Sequence, residues 1–471
     1  VNKPVSTKPK DKPITILGAG CAGLAAGLRL TKRGYPVVLI EKEDHVGGLS
    51  GGVRINGNNY EYGPHTFHAT DPEILNDIKL LMGNDLIEYY RTIKIKFLGN
   101  YFRFPLVMSD VLFKLPILTV LRAGLSFVWH FVAGAIRRPS VETSETVLKR
   151  YYGSVLYEIF FKSYITSVWG ISPAEFSPAF ARQRIPRMNF LGVLDKAGSV
   201  FKRHLRRNLK IDNYVEKMEG NLYTTKQGFS LITERMADSI IEHGGKVILN
   251  AEVNKLFREE NKVYAVEYIQ DGQPRQIECS GVINTLPINE TVTMLEPVLD
   301  ADVINSAQEL KFRALVFVGL LVRRAKVLPS SFMYFRELSF NRISDLAQFG
   351  FHIKPDGCTQ LVAEISCGIG DREWTDDEYA REAVLADLVD EHLLDREDVI
   401  ETHVFRAKHA YPIYTLHYEK HLDTLMKAVD EMANLETAGR QGRFQYINSH
   451  IALKMGYEAV DRLTAGLEMR Q

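Results

Sequence analysis

Residues 14–41 read ITILGAGCAGLAAGLRLTKRGYPVVLIE. The apolar run 14–17 predicts a buried parallel strand. Gly18-x-Gly20-x-x-Gly23 follows, then a helical pattern over 24–31, and a second apolar run, 37–40, closes on Glu41. Strand, glycine turn, helix and a strand ending in an acid make a βαβ unit with dinucleotide spacing. Gly18 is read as the tight turn, Gly20 as the point where a pyrophosphate approaches the backbone, and Gly23 as the close contact of helix and strand. An anion is expected on the helix N-terminus, where free N–H groups and the dipole favour it. Glu41 stands at the distance expected for an acid that binds ribose hydroxyls.

Downstream, His45-Val-Gly47-Gly48-Leu49-Ser-Gly51-Gly52 supplies a second glycine-rich loop, which NAD does not require. It resembles the loop of FAD proteins of the amine oxidase and glutathione reductase type, so FAD is the expected dinucleotide. Gly47, Gly48 and Leu49, with Val253 of the predicted strand 252–256, complete the expected cofactor contacts.

At 471 residues the chain is too long for one ordinary core. Its 45% hydrophobic and 25% charged content is that of a soluble globular protein. Formal net charge is zero and no basic block points to nucleic acid. The four cysteines (Cys21, Cys279, Cys358, Cys367) are scattered, without metal spacing, and fit a reducing cytoplasm. No secretory signal is visible. The chain starts at Val1, so an upstream piece could be missing.

Residues 53–62 predict a hairpin about Asn56-Gly57. Residues 71–82 predict a helix capped by Asp71 with Pro72 at its first position. Residues 109–207 are mostly helical in pattern. Within them 111–136 is unusually apolar, interrupted by Lys114, Pro116, Arg122 and His130. Two readings stand side by side: a core helix, or a helix on a membrane surface. The α/β pattern returns over 222–287. Strands at 312–322, 331–335, 348–353, 360–366 and 399–407 supply a second sheet. The expected fold is α/β: a discontinuous Rossmann-like FAD-binding domain of glutathione reductase type (14–92, 215–300 and 430–471). It carries a helical insert (105–214) and an antiparallel-sheet substrate domain (93–104 and 301–429), with 1–13 as a disordered tail.

The order GAGxxGL, GGL, GPHxFH, YxxxxW-G, RIP, YP and GRxGxxxY resembles the UDP-galactopyranose mutase family, within the amine oxidase and protoporphyrinogen oxidase-like FAD superfamily. The resemblance runs from residue 14 to about 463. It implies that His65, in Gly63-Pro-His65-Thr-Phe-His68, lies over the flavin, and that Tyr164 and Trp169 line a uracil cleft. It implies roles for Arg184 and Arg440 in catalysis, for Tyr411 at the diphosphate, and for Tyr446 at both flavin and substrate. Physical chemistry agrees: a nucleotide sugar needs aromatic faces for its base and planar cations for its diphosphate. Arg342 is a third candidate cation, in a looser match. Where the family has Lys-Gln and Asp, this chain has Ser167-Val168 and Asn448, which bears on the particular sugar.

What the resemblance implies is an isomerase of nucleotide sugars that feeds cell-surface polysaccharide. It would interconvert pyranose and furanose rings without net redox change, through an N5 adduct of reduced flavin. The partners implied are a nucleotide-sugar substrate and NAD(P)H or another reductant; a homodimer is compatible. No Ser-His-Asp or Cys-His set calls for a side-chain nucleophile. The alternative is an FAD-dependent oxidoreductase of the amine oxidase or protoporphyrinogen oxidase type, which needs no diphosphate arginines. A third reading, a non-catalytic flavin-binding scaffold at a membrane, rests on residues 111–136 alone.

Overall fold

The computed structural model describes residues 12–68, 71–90, 92–97, 99–104, 106–136, 140–185 and 222–469. The expected tail therefore lies outside the described residues up to position 11, as does the part of the helical insert beyond Ile185.

The βαβ unit is the centre of a five-stranded parallel sheet. Its spatial order is Lys246–Ile248, Val37–Ile40, Ile14–Leu17, Gly281–Asn284, Leu435–Thr437. All four pairings are parallel, with Ile14 opposite both Val37 and Gly281. Every residue of the two strands Ile14–Leu17 and Val37–Ile40 is buried, as expected for a sheet covered on both faces. The helix Cys21–Lys32 covers one face, packed beside the helices Ser230–Glu242 and Ser449–Glu468. It starts three residues earlier than the periodicity predicts, because Gly20 serves as its N-cap. Three distant stretches of chain thus build one sheet.

The expected hairpin is present as Gly52–Ile55 and Asn58–Glu61, and Asp71 caps the helix Pro72–Met82 by accepting from the Glu73 and Ile74 N–H groups. A seven-stranded sheet runs Val399–Pro412, Phe312–Val322, Thr359–Cys367, Arg342–Asp345, Phe332–Tyr334, Ile93–Phe97, Asn100–Arg103. It is antiparallel except where Phe332–Tyr334 pairs with Ile93–Phe97.

Two local expectations are corrected. Residues 348–353 are not a strand: Leu346–Phe349 is a 3₁₀ turn ended by Gly350 at φ +86°. Gln348 holds it there, donating from Nε2 to the carbonyls of Leu328 and Ser330 and to Asp345. The apolar stretch 111–136 is not one core helix. Leu115 takes the extended conformation that Pro116 requires, separating the helices Met108–Lys114 and Ile117–Ile136. Among residues 117–133 only Ala123 is buried.

Candidate functional site

The glycines of the βαβ unit divide by what a side chain would meet. At Gly18, with φ +94°, a Cβ would lie 2.6 Å from Thr285 Oγ1. At Gly23 it would lie 2.0 Å from the Gly18 carbonyl oxygen. Both serve the protein's own packing. At Gly20 a Cβ would meet nothing within 4 Å, so the space over the helix N-terminus is open. The second loop closes against the first: the Gly47 N–H donates to the Ala19 carbonyl at 2.8 Å. A Cβ on Gly48, at φ +53°, would sit 3.2 Å from Gly20 Cα. Glu41 is buried and accepts from the Ala19 N–H at 2.7 Å and the Glu43 N–H at 3.1 Å. Open space, free helical N–H groups and a carboxylate beside them fit a dinucleotide flavin.

Both loops line a cavity of about 840 Å³. Gly18, Gly20, Glu41, Gly47, Gly48 and Leu49 face it; so do His65, Tyr164, Trp169, Arg184, Arg342, Tyr411, Arg440 and Tyr446. Gly23 and Val253 are not among the lining residues; Val253 is buried in the strand Ala251–Glu259. The sequence-predicted residues, up to 428 positions apart, are therefore gathered around one space.

Tyr446 is the hub of the aromatic side. The Arg184 guanidinium lies 3.7 Å over its ring and that of Arg440 5.1 Å from it. Tyr411 meets Tyr446 edge-on at 4.8 Å, and Trp169 lies within 6.2 Å of both rings. The Trp169 indole N–H is buried without a hydrogen-bond partner, a donor turned to no acceptor of the protein. Each member is set by a local device. A turn of π-helix, Glu158–Lys162, shifts the register just before Tyr164. Gly170, at φ +74°, ends the helix at Trp169. Arg184 closes the helix Pro178–Arg184, capped by Ser177. Arg440 lies in the turn Gly439–Gly442 directly after the last parallel strand; a Cβ on Gly439 would come 2.9 Å from Ala22 of the dinucleotide helix.

Arg342 and Arg440 differ in how their charge is met. Arg342 is held in a fork by Glu364, with contacts of 2.6 and 2.7 Å. Burial would lower its pKa, but Glu364, with Tyr411 and Tyr334, holds it well above the ordinary value. Nε and Nη2 are thus engaged by Glu364, so Arg342 faces the cavity with its charge already met within the protein. The pair also lies against the histidine loop: a Cβ on Gly63 would lie 2.6 Å from Glu364 Oε1. Arg440, by contrast, donates only to carbonyls, of Ile447 and Ala410, and forms no carboxylate pair among the described residues. Burial, with Arg184 nearby, lowers its pKa although the neighbouring tyrosines oppose the shift. A buried guanidinium without a counter-charge favours an anionic ligand.

His65 Nδ1 donates to the Gly63 carbonyl at 2.8 Å, which leaves Nε2 as an acceptor. Burial, reinforced by Arg440 and Arg342, pushes its pKa down to about 3, so the ring is neutral. Beneath it lies Glu61, fully buried, accepting from the His65 and Ser230 N–H groups. Burial raises its pKa to about 8, so it stays protonated at neutral pH. Sequence reasoning missed Glu61 and Glu364. A lone carboxylate inside the apolar run LVAEI was the available signal for Glu364, because such a group requires a partner. His68, the less favoured loop histidine, packs edge-on against His450 at 5.3 Å.

A model of NAD(P)-binding Rossmann-like domains matches residues 16–79, and one of flavin-containing amine oxidoreductases matches residues 176–427. The chain is similar to a "probable UDP-galactopyranose mutase" of Klebsiella pneumoniae, 29% identical over 184 residues, which is 38% of this chain and 47% of that protein. It is also similar to a lycopene-forming phytoene desaturase of Pantoea ananas, 38% identical over 78 residues, 17% of this chain and 15% of the other. The chain thus aligns with less than half the length of these curated relatives. Among solved structures, reduced UDP-galactopyranose mutase is similar at TM-score 0.78 and 17% identity, over 96% of this chain and 94% of that one. A putrescine oxidase bound to putrescine is similar at TM-score 0.63 and 17% identity, over 96% and 99%.

Proposed function

Because the chain belongs to the flavin-containing amine oxidoreductase family, we propose that its cleft holds a nucleotide sugar beside FAD and interconverts the pyranose and furanose forms of the sugar. The observation that carries this reading is the stacking of Arg184 and Arg440 on the single ring of Tyr446, beside Trp169 and Tyr411. Two planar cations gathered at one aromatic ring suit a diphosphate, and the neighbouring rings suit a base. FAD, when bound and reduced, supplies an electron-rich nitrogen able to attack carbon; when oxidised it supplies a hydride acceptor.

The chain's own residues then do four things. Arg440 and Arg184 take up the negative charge of the diphosphate as its bond to the sugar breaks. Trp169 and Tyr164 hold the base between their rings. His65, neutral and with Nδ1 engaged by Gly63, offers Nε2 to a sugar hydroxyl proton. The aromatic lining excludes water from the reacting carbon. Ser167, where the mutase family has lysine, accepts from Asn341 Nδ2 at 2.6 Å, so this position brings no further cation. A sugar other than galactose suits that difference.

Amine oxidation is less well supported. A cationic amine would face Arg184 and Arg440 and gain nothing from Glu364, which Arg342 already holds. The test is titration of protein reduced with dithionite or NAD(P)H, first with UDP and then with UDP-galactopyranose and other UDP-sugars. The expected result is UDP binding and ring-contracted product with no stoichiometric consumption of reductant. Substrate oxidation matched by peroxide release, with no affinity for UDP, would replace this reading by the oxidoreductase one.

A further inference from the structure

The helix Ile117–Ile136 wears its apolar face outward. Successive residues turn by about 100° on a helix, which brings Ile117, Leu118, Leu121, Leu125, Val128 and Trp129 within an arc of about 120°. All six are exposed, from 57% at Leu121 to 74% at Leu125. Phe113 on the preceding helix, 85% exposed, extends the patch. Arg122 falls at the edge of the arc and forms no ion pair among the described residues. The inward side carries Ala123, Ser126 and His130, the reverse of an ordinary amphipathic helix. Soluble monomers seldom leave so continuous an apolar face in water.

Charge identifies what covers it. The whole chain is neutral, yet residues 105–214 carry sixteen Lys and Arg against seven Asp and Glu. Four of those acids are already paired with cations: Asp110, Glu142, Glu145 and Glu158. The surplus positive charge is therefore not quenched within the insert. In sequence, Arg137 and Arg138 follow the helix directly. An apolar arc with an indole at its margin, Arg122 at its edge and a basic sequence directly after the helix matches the interface of an anionic bilayer.

The packing of the helix suits lying along such a surface rather than crossing it. Ser126 Oγ bonds Ser154 Oγ at 2.8 Å, and a Cβ on Gly153 would meet the Phe127 backbone nitrogen at 2.7 Å. The middle of the helix is thus bound lengthwise to the helix Ser144–Tyr157. No helix among the described residues is long and apolar enough to span a membrane. We propose that this protein attaches to anionic lipid surfaces through the outward face of Ile117–Ile136 and the adjoining Phe113.

The experiment is flotation of the full-length flavoprotein with two kinds of vesicle, phosphatidylcholine alone and phosphatidylcholine mixed with phosphatidylglycerol. Wild type is expected to float with the mixed vesicles more than with the neutral ones, and less as salt is raised. The Leu121→Glu/Leu125→Glu double variant should lose at least about tenfold in vesicle affinity while keeping flavin content and turnover. Trp129→Phe should abolish the blue shift of tryptophan emission on vesicle binding. Flotation with neither vesicle, or equal flotation of wild type and double variant, overturns the proposal. So does a dimer in solution that the double variant dissociates, because a second copy then covers the face.

Discussion

The glycine loops and the aromatic–arginine cluster line the same cavity but are held in place by different means. Around Gly23 and Gly47 the nearest neighbours are backbone atoms, and a single methyl group at Gly23 would press on a carbonyl at 2.0 Å. Nothing there can move aside. Around Tyr446 the neighbours are side chains from separate parts of the chain, meeting through ring contacts of 4.8–6.2 Å and carbonyl bonds. The first region is rigid and local in sequence; the second is assembled and adjustable. A family can keep the first and change its substrate by altering the second.

The sharpest way to break that contrast lies within the loops. Gly23→Ala should destabilise the fold by on the order of 4 kcal/mol or more, read by denaturant unfolding. Gly20→Ala should leave the unliganded fold within about 1 kcal/mol of wild type, since its Cβ meets nothing, and yet lose FAD. Retention of FAD by Gly20→Ala would mean that the open space is not where the pyrophosphate lies.

Effects in the cluster should be smaller and should spare the fold. Arg440→Ala is expected to lower turnover roughly a hundredfold or more, with some loss of flavin because its turn packs against Ala22. Arg184→Ala should weaken UDP binding about ten- to a hundredfold with the flavin spectrum unchanged. Arg184→Lys should recover part of that, keeping the charge but losing the fork. Equal UDP affinity in wild type and both variants, by calorimetry, would remove Arg184 from the site.

A pH-dependent effect follows from Glu61, whose carboxyl group accepts from the His65 N–H. Its folded pKa is raised to about 8. Its stabilising protonation is therefore complete below the unfolded value near 4.5 and is lost as pH rises through 8. Unfolding midpoints of wild type should fall relative to Glu61→Gln between pH 5 and 8. His65, depressed to about 3, acts oppositely below pH 6.5. A constant offset between wild type and variant across that range would show that Glu61 does not titrate there.

The dinucleotide unit was legible because each of its requirements is a residue type at a fixed offset: glycine for space, apolar residues for a buried strand, an acid at the end. The parallel sheet could be extended by the same reading to Lys246–Ile248 and Gly281–Asn284. Candidate arginines and aromatics could be picked out by motif, but not their partners. Nothing in Phe340-Asn-Arg342 says that Glu364, on the next strand, pairs with its guanidinium; that follows only from the register Arg342 opposite Glu364. Apolarity alone also left 111–136 between two readings, because it does not say which way the face points; burial here belongs to Ala123 and the side that carries Ser126.

The last parallel strand, Leu435–Thr437, has one further consequence. It completes a sheet begun at Ile14, and the turn after it carries Arg440 onto the helix that starts at Cys21. During synthesis the two glycine loops leave the ribosome hundreds of residues before this strand exists. Contacts of such sequence separation form slowly and late. Flavin capture in a stable form then waits for residues 435–440, and nascent chains short of residue 435 leave the edge of Gly281–Asn284 unpaired.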